Sequence, residues 1–298
     1  MNPCFLCPRS CGADRTKEKS FCSCGEDILL AHTMIHRWEE PCVSGKNGTA
    51  AFFFGGCSLG CVYCQNGKIT SGKIGKTVTP DELTGSFFEM ASKGAETIDL
   101  VTPTHFWDKI AEAVRSAKSL HFDLPIIANT SGYEKADILE RYANETDVFL
   151  TDFKYLSPDI SLRYSGIDDY ADFALPALKK MVELVGKPRF SSSGILQKGV
   201  IVRHLVLPGN GEESKKILSL LYEKFGNDIL YSLMSQYTPP RGIDKKFPEL
   251  ARPLRRIEYK SVVRYAEKLG ITNGFIQEEG AAGEKYIPDF PFDPQQKG

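Results

Sequence analysis

Beyond residue 48 the apolar positions fall into two alternating rhythms. Short runs of branched and aromatic residues at 50–54, 97–101, 125–128, 148–153, 199–207 and 229–234 read as buried strands. Between them lie stretches with apolar residues three and four apart, which predict helices over 80–93, 107–120, 135–142, 173–185 and 212–225. The first helix carries its own boundaries. Thr79-Pro80-Asp81-Glu82 is a capping box with proline at the first helical position, and Gly94 stops the last turn. Six strands alternating with helices force parallel pairing through right-handed crossovers. The predicted fold is α/β, a partial (β/α)6 TIM-type barrel that stays open because six units fall short of eight.

Three segments follow from this pattern. Residues 1–48 are short of long periodic stretches and rich in Cys, Gly and charge, an N-terminal Cys-rich extension that a metal would stabilise in place of a core. Residues 49–240 form the barrel. Residues 241–298 form a C-terminal extension with a helix at 257–269, a strand at 274–277 and a frayed tail over 288–298.

Charge narrows the partners. With 37 basic and 38 acidic residues the formal net charge is −1, so no electrostatic footprint for nucleic acid or an anionic membrane is expected. No apolar run approaches the ~20 residues that span a bilayer. Met1-Asn2-Pro3-Cys4 has neither the basic nor the apolar region of a secretory signal. A cytoplasmic location is the expectation. Disulfides are then disfavoured, yet the chain has nine cysteines, none of them after Cys64. Such front-loading reads as metal ligation.

Cys57, Cys61 and Cys64 stand in C-x3-C-x2-C spacing on a glycine-rich loop after the first strand, with Gly55, Gly56 and Gly60 allowing a tight turn around a bulky group. Four-ligand zinc and electron-carrying iron–sulfur sites close their coordination with protein. Three thiolates can hold three irons of a cubic 4Fe-4S cluster and leave the fourth open. A zinc knuckle completed from elsewhere, or three unrelated core thiols, are the alternatives. Cys4, Cys7, Cys11 and Cys22 form a second candidate site for zinc or an auxiliary iron–sulfur cluster, with Cys24 and Cys42 competing as fourth ligand. Other polar residues gather after successive strands, where a parallel barrel has its mouth: Thr102-Pro103-Thr104-His105, Asn129-Thr130-Ser131-Gly132, Asp152-Phe153-Lys154, Arg203 and Tyr237. His105 lines the pocket or is structural. His32 and His36, four apart as if on one helix face, read as core or surface histidines. Glu39-Glu40 reads as a loop or cap feature, and Trp38 with Phe52-Phe53-Phe54 as core.

The cysteine loop with Tyr63 before its last cysteine and Gln65-Asn66 after it resembles the radical S-adenosylmethionine superfamily. Asp152-x-Lys154 and Arg203 with Pro208-Gly209 are similar to the activating enzymes of glycyl-radical proteins, of which the pyruvate formate-lyase activating enzyme is the type case. Cys4-x2-Cys7-Pro8-Arg9-x-Cys11-Gly12-x2-Arg15 and Trp38-Glu39-Glu40-Pro41-Cys42 resemble its PflX-like branch. The resemblance implies an oxidoreductase in which the open iron binds S-adenosylmethionine, one electron cleaves it to methionine and a 5′-deoxyadenosyl radical, and that radical takes a hydrogen atom from substrate. It implies a flavodoxin or ferredoxin as electron donor, and a glycyl-radical enzyme, a peptide or a small molecule as substrate. Carried onto this chain, S-adenosylmethionine would meet Tyr63, Thr102, Thr104, Asn129, Ser131, Asp152, Lys154, Arg203 and Tyr237. An ion pair in the barrel mouth is the alternative role for Asp152 and Lys154. Where the family often has Gly-Gly-Glu, this chain has Thr102-Pro103-Thr104, and Pro103 offers no N–H. Where many activating enzymes have Asp-Thr-Asn-Gly it has Asn129-Thr130-Ser131-Gly132, and Tyr237 replaces a histidine. A non-catalytic electron carrier or metal-binding adaptor is the reading of another class.

Overall fold

The computed structural model describes residues 3–277; the predicted tail over 288–298 lies outside them. Its strands are β1 (Ile28–His36), β2 (Thr49–Phe54), β3 (Lys76–Val78), β4 (Ile98–Val101), β5 (Ile126–Thr130), β6 (Val148–Asp152), β7 (Arg189–Phe190), β8 (Leu196–Leu205), β9 (Leu230–Met234) and β10 (Gly274–Ile276). Its helices are α1 (Pro41–Ser44), α2 (Gly67–Thr70), α3 (Pro80–Ser92), α4 (Trp107–Ser119), α5 (Ala136–Arg141), α6 (Pro158–Ser165), α7 (Tyr170–Val185), α8 (Gly211–Phe225) and α9 (Arg256–Leu269). One sheet runs β3-β1-β2-β4-β5-β6-β8-β9-β10, with β7 paired to β8. The strands from β2 to β10 along this order pair in parallel, as the six predicted strands require, and the sheet is not closed.

Two features go beyond the sequence pattern. β1, from the segment read as an extension, pairs antiparallel with β2 and joins the main sheet. His32 and His36 therefore stand on a strand rather than a helix. β10, from the C-terminal segment, adds a seventh parallel strand beside β9.

The period-two pattern of the strands sorts their side chains. Phe52, Phe54, Leu100, Ala128, Phe149, Val200 and Tyr231 face the helices and pack in one core with Leu83, Phe87, Val114, Leu178 and Leu218. The alternate residues turn to the inner face. There Ile127, Val148, Leu150, Ile201 and Leu230 pack against Cys42 and Val43 of α1. Residues 39–44 therefore run across the inside of the open barrel, from beyond the end of β1 toward β8. Thr97 Oγ1 donates to Val43 O at 3.0 Å and fixes the crossing. The capping box of α3 forms as predicted, with Glu82 N–H donating to Thr79 Oγ1 at 3.2 Å and Thr79 N–H to Glu82 Oε2 at 2.8 Å. Gly132, at φ +81, brings the turn after β5 so close to β6 that a Cβ there would stand 2.0 Å from Asp152 O. Trp38, read as core, is 72% exposed, because the crossing segment turns outward just before Glu39. Among the described residues no helix is long and apolar enough to cross a membrane.

Candidate active site and cysteine clusters

Cys57, Cys61 and Cys64 leave the end of β2 on one loop, half-buried and outside any disulfide. Leu59 N–H donates to Cys57 Sγ at 3.4 Å, and Ser165 Oγ, at the end of α6, donates to Cys61 Sγ at 3.1 Å. Ser165 is the last member of a buried hydroxyl chain. Tyr63 and Tyr155 share a hydrogen bond of 2.6 Å, and Tyr155 and Ser165 one of 2.8 Å. Burial raises the thiols of Cys57 and Cys64, the latter to about 11, and the Cys61 charge adds to each. Thiols raised in this way form a donor set that a cationic centre would relieve.

Lys154 sits beside that loop. Burial works against its charge, but Asp152, then Cys61 and Cys64, hold the ammonium well above its usual range. Lys154 and Asp152 are hydrogen-bonded. From Asp152 the polar groups continue across the inner face. Arg203 Nε lies 3.4 Å from Asp152 Oδ1, at ion-pair distance without hydrogen-bond geometry. Its Nη1 donates to Glu39 Oε2 at 3.0 Å and its Nη2 to Asn129 Oδ1. Asn129 Nδ2 donates in turn to Asp99 Oδ2 at 3.2 Å. Burial opposes ionisation of Asp152, yet Lys154 and Arg203 keep its carboxyl below the usual range. Asp99 and Glu40 lack so close a cation, and burial pushes both upward. Asp99 Oδ1 and Glu40 Oε2 are buried with no hydrogen-bond partner among the described residues.

The remaining predicted positions separate. Thr102 has φ +61, rare for a β-branched residue, and its N–H donates to Asn129 O at 2.8 Å. Ser131 lies at the next turn, where its carbonyl accepts from Tyr170 Oη at 2.8 Å. Tyr237 packs edge-on to Tyr63, but its hydroxyl is used by Leu250 O at 2.6 Å. Thr104 Oγ1 donates to Glu134 Oε1 at 2.8 Å.

Glu134 makes the site's surroundings pH-sensitive. Burial raises its carboxyl to about 8, only partly offset by the Thr104 hydrogen bond. With the folded value above the unfolded one, its contribution is favourable at low pH and is lost as pH rises from the ordinary carboxylate range through about 8. Glu134→Gln keeps the shape without the charge. We expect it to match the parent near pH 5 and to exceed it at pH 9 by on the order of 3 kcal/mol in urea unfolding. Superimposable pH profiles would count against a buried, titrating Glu134.

At the N-terminus the predicted set divides. Cys22 and Cys24 are buried together with His105, their donor atoms within 4.8 Å of one another. Cys7 is buried, Cys4 is half-buried with Sγ 3.9 Å from Arg15 Nη1, and Cys11 is exposed. Cys42, once a competitor for this site, packs instead with the inner core. Cys22 is held low by the hydrogen bond from Cys24, whose own thiol is pushed up, so the pair shares one proton.

The family model described as "Radical SAM superfamily" matches residues 52–221, more than half of the chain, from β2 through the cysteine loop into α8. The chain belongs to the radical SAM superfamily. A relative, Uncharacterized protein MJ0674 of Methanocaldococcus jannaschii, is 26% identical over 274 residues, 90% of this chain and 75% of that protein. Streptococcus suis SuiB bound to S-adenosylmethionine superposes with TM-score 0.52 at 13% identity, over 76% of this chain and 49% of that one. SuiB bound to precursor peptide SuiA gives 0.51 at 13% identity, over 74% and 46%. At such identity the likeness is one of fold, and the chain spans about half the length of these solved structures.

The residues present fit what radical SAM membership implies, a 4Fe-4S cluster and S-adenosylmethionine. Three thiols stand on one loop, two of them already accepting hydrogen bonds, and the cations Lys154 and Arg203 stand at the ends of β6 and β8. Sequence reasoning missed Tyr155, Ser165 and Asp99, and read Glu39 and Glu40 as a loop or cap feature. Asp99 alone left a signal, as the one acid in the otherwise apolar run Ile98-Asp99-Leu100-Val101.

Proposed function

We propose that this radical SAM protein is an enzyme that reductively cleaves S-adenosylmethionine and directs the resulting radical to a substrate C–H bond. The observation that carries the reading is the adjacency of Cys57, Cys61 and Cys64 to the charged series Lys154, Asp152 and Arg203. A 4Fe-4S cluster on the three thiolates, when bound, supplies the electron for cleavage. The chain's residues do the rest. Ser165 and Leu59 N–H steady the sulfurs. Lys154 and Arg203 offer cations to the methionyl carboxylate, and Asp152 holds them in place. Thr102 and Thr104 stand where Pro103 removes a backbone donor. A flavodoxin or ferredoxin is the electron donor in this reading, and a glycyl-radical enzyme is the substrate, on the strength of the family resemblance.

A second reading, a small-molecule or peptide substrate, is favoured by one feature. Residues 39–44 occupy the inner face, and the acceptors Glu40 Oε2 and Asp99 Oδ1 have no partner there among the described residues. Those acceptors suit a substrate bearing an amine or several N–H groups.

Anaerobically reconstituted protein with dithionite and S-adenosylmethionine should release methionine and 5′-deoxyadenosine in equal amounts. Addition of a glycyl-radical protein should give a glycyl-radical resonance signal; its absence with every such protein tried, beside intact cleavage, would turn the assignment to the second reading. A cluster spectrum unmoved by S-adenosylmethionine, with no cleavage, would instead favour a non-catalytic electron carrier.

A further inference from the structure

The N-terminal segment brings a second set of soft donors to one point outside the cysteine loop. We propose that Cys22, Cys24 and His105 bind a single zinc ion, with Cys7 as fourth ligand, and that this ion fastens the N-terminal segment to the loop carrying Cys57.

The spacing of the donors argues for one ion. The sulfurs of Cys22 and Cys24 and a ring nitrogen of His105 lie within 4.8 Å of one another. Zn–S bonds of about 2.3 Å and Zn–N bonds of about 2.0 Å place tetrahedral ligand atoms roughly 3.5–3.8 Å apart, so a small contraction closes the set. A cubic iron–sulfur cluster puts each ligand on a different iron and holds the sulfurs further apart than a single ion does.

The imidazole is already oriented. His105 Nε2 lies 2.7 Å from Gly55 O. A carbonyl only accepts, so Nε2 carries the proton. That leaves Nδ1 with its lone pair, buried and with no partner among the described residues. A ring fixed by a backbone carbonyl on one nitrogen, with the other free, is how metal-binding histidines are held. His105, Cys22 and Cys24 are only 2%, 6% and 2% exposed, so bulk solvent does not reach that atom.

Cys7 is a further buried thiol of the same segment, outside the 4.8 Å set, and would close on the ion as the metal binds. Cys11 is exposed, and Cys4 is turned to Arg15. The chemistry, two or three thiolates with one imidazole, suits zinc.

The position gives the ion its role. Cys24 Sγ lies 3.2 Å from Gly55 O, and a Cβ on Gly56 would stand 2.5 Å from that sulfur. His105 sits in the turn after β4, beside Thr104. One ion at this point joins residues 22–24, the start of the Cys57 loop and the turn after β4.

The test uses the full chain with Cys57, Cys61 and Cys64 all changed to alanine, so that the first site has no ligands. Purified with added zinc, it should retain about one zinc per chain by elemental mass spectrometry. Adding Cys22→Ser and Cys24→Ser should lower this at least tenfold, and His105→Ala or Cys7→Ser should weaken retention against a chelator. Loss of metal through unfolding is separated by X-ray absorption at the zinc edge of the triple-alanine chain, where sulfur neighbours with one nitrogen are expected. No zinc, zinc with oxygen and nitrogen neighbours alone, or iron in all-sulfur coordination would overturn the proposal. The readout does not depend on S-adenosylmethionine cleavage, which tests the first site in the unmutated chain.

Discussion

Cys61→Ala, reconstituted anaerobically, should hold no first-site cluster iron and cleave S-adenosylmethionine no faster than buffer. The expectation follows from ligand number. The loop offers three thiolates, and removal of one leaves two of the irons in a cubic cluster without a protein sulfur. Ser165→Ala is the contrasting variant. It removes the hydroxyl that donates to Cys61 Sγ at 3.1 Å but none of the ligands. It should keep its iron and lower the reduction potential, because hydrogen bonds to the sulfurs favour the more negative, reduced state. Iron content by elemental analysis and a redox titration check the pair. Cys61→Ala with intact iron and cleavage would remove the basis of the functional reading.

Arg203→Ala should produce the largest loss of stability of any single change on the inner face, on the order of 3–5 kcal/mol in anaerobic urea unfolding. The guanidinium faces Glu39 and Asp152 at ion-pair distance and bonds Asn129, with Asp99 and Glu40 close enough to raise its charge affinity further. Burial opposes that charge, and the surrounding carboxylates overcome it. Removing it leaves Glu39 and Asp152 half-buried with Lys154 as the near cation. Glu39→Gln added to Arg203→Ala should restore part of the loss, since one uncompensated carboxylate disappears. Arg203→Lys keeps the charge without the planar fork and should fall between. A loss under about 1 kcal/mol for Arg203→Ala would mean that the ion pairs are solvated.

The six parallel strands were legible because buried parallel strands read as unbroken branched and aromatic runs, and each observed strand overlaps its predicted run. β1 was not legible. Its burial is mixed along both faces, so Ile28–His36 shows neither clean alternation nor a continuous apolar run. α6 escaped for a different reason: it is eight residues long, with too few turns to show a period. In the site, Cys57, Cys61 and Cys64 were legible because a single loop supplies all three. Cys22, Cys24 and His105 were not, since the fold alone joins residues 81 positions apart in the sequence. The second set predicted from spacing included Cys11, which the structure places at the surface. Glu39 was taken for a loop feature although it stands in the Trp38–Cys42 motif, because its partner, Arg203, lies 164 residues away.

That last separation bears on how the chain is made. Residues 39–44 leave a ribosome long before β8 and β9 exist, yet they finish inside the wall those strands complete. The salt link from Glu39 to Arg203 spans 164 residues, a non-local contact whose loop-closure cost is met only when the chain as far as β8 is present. A segment from the front of the chain thus lines the interior of strands that come from its far end.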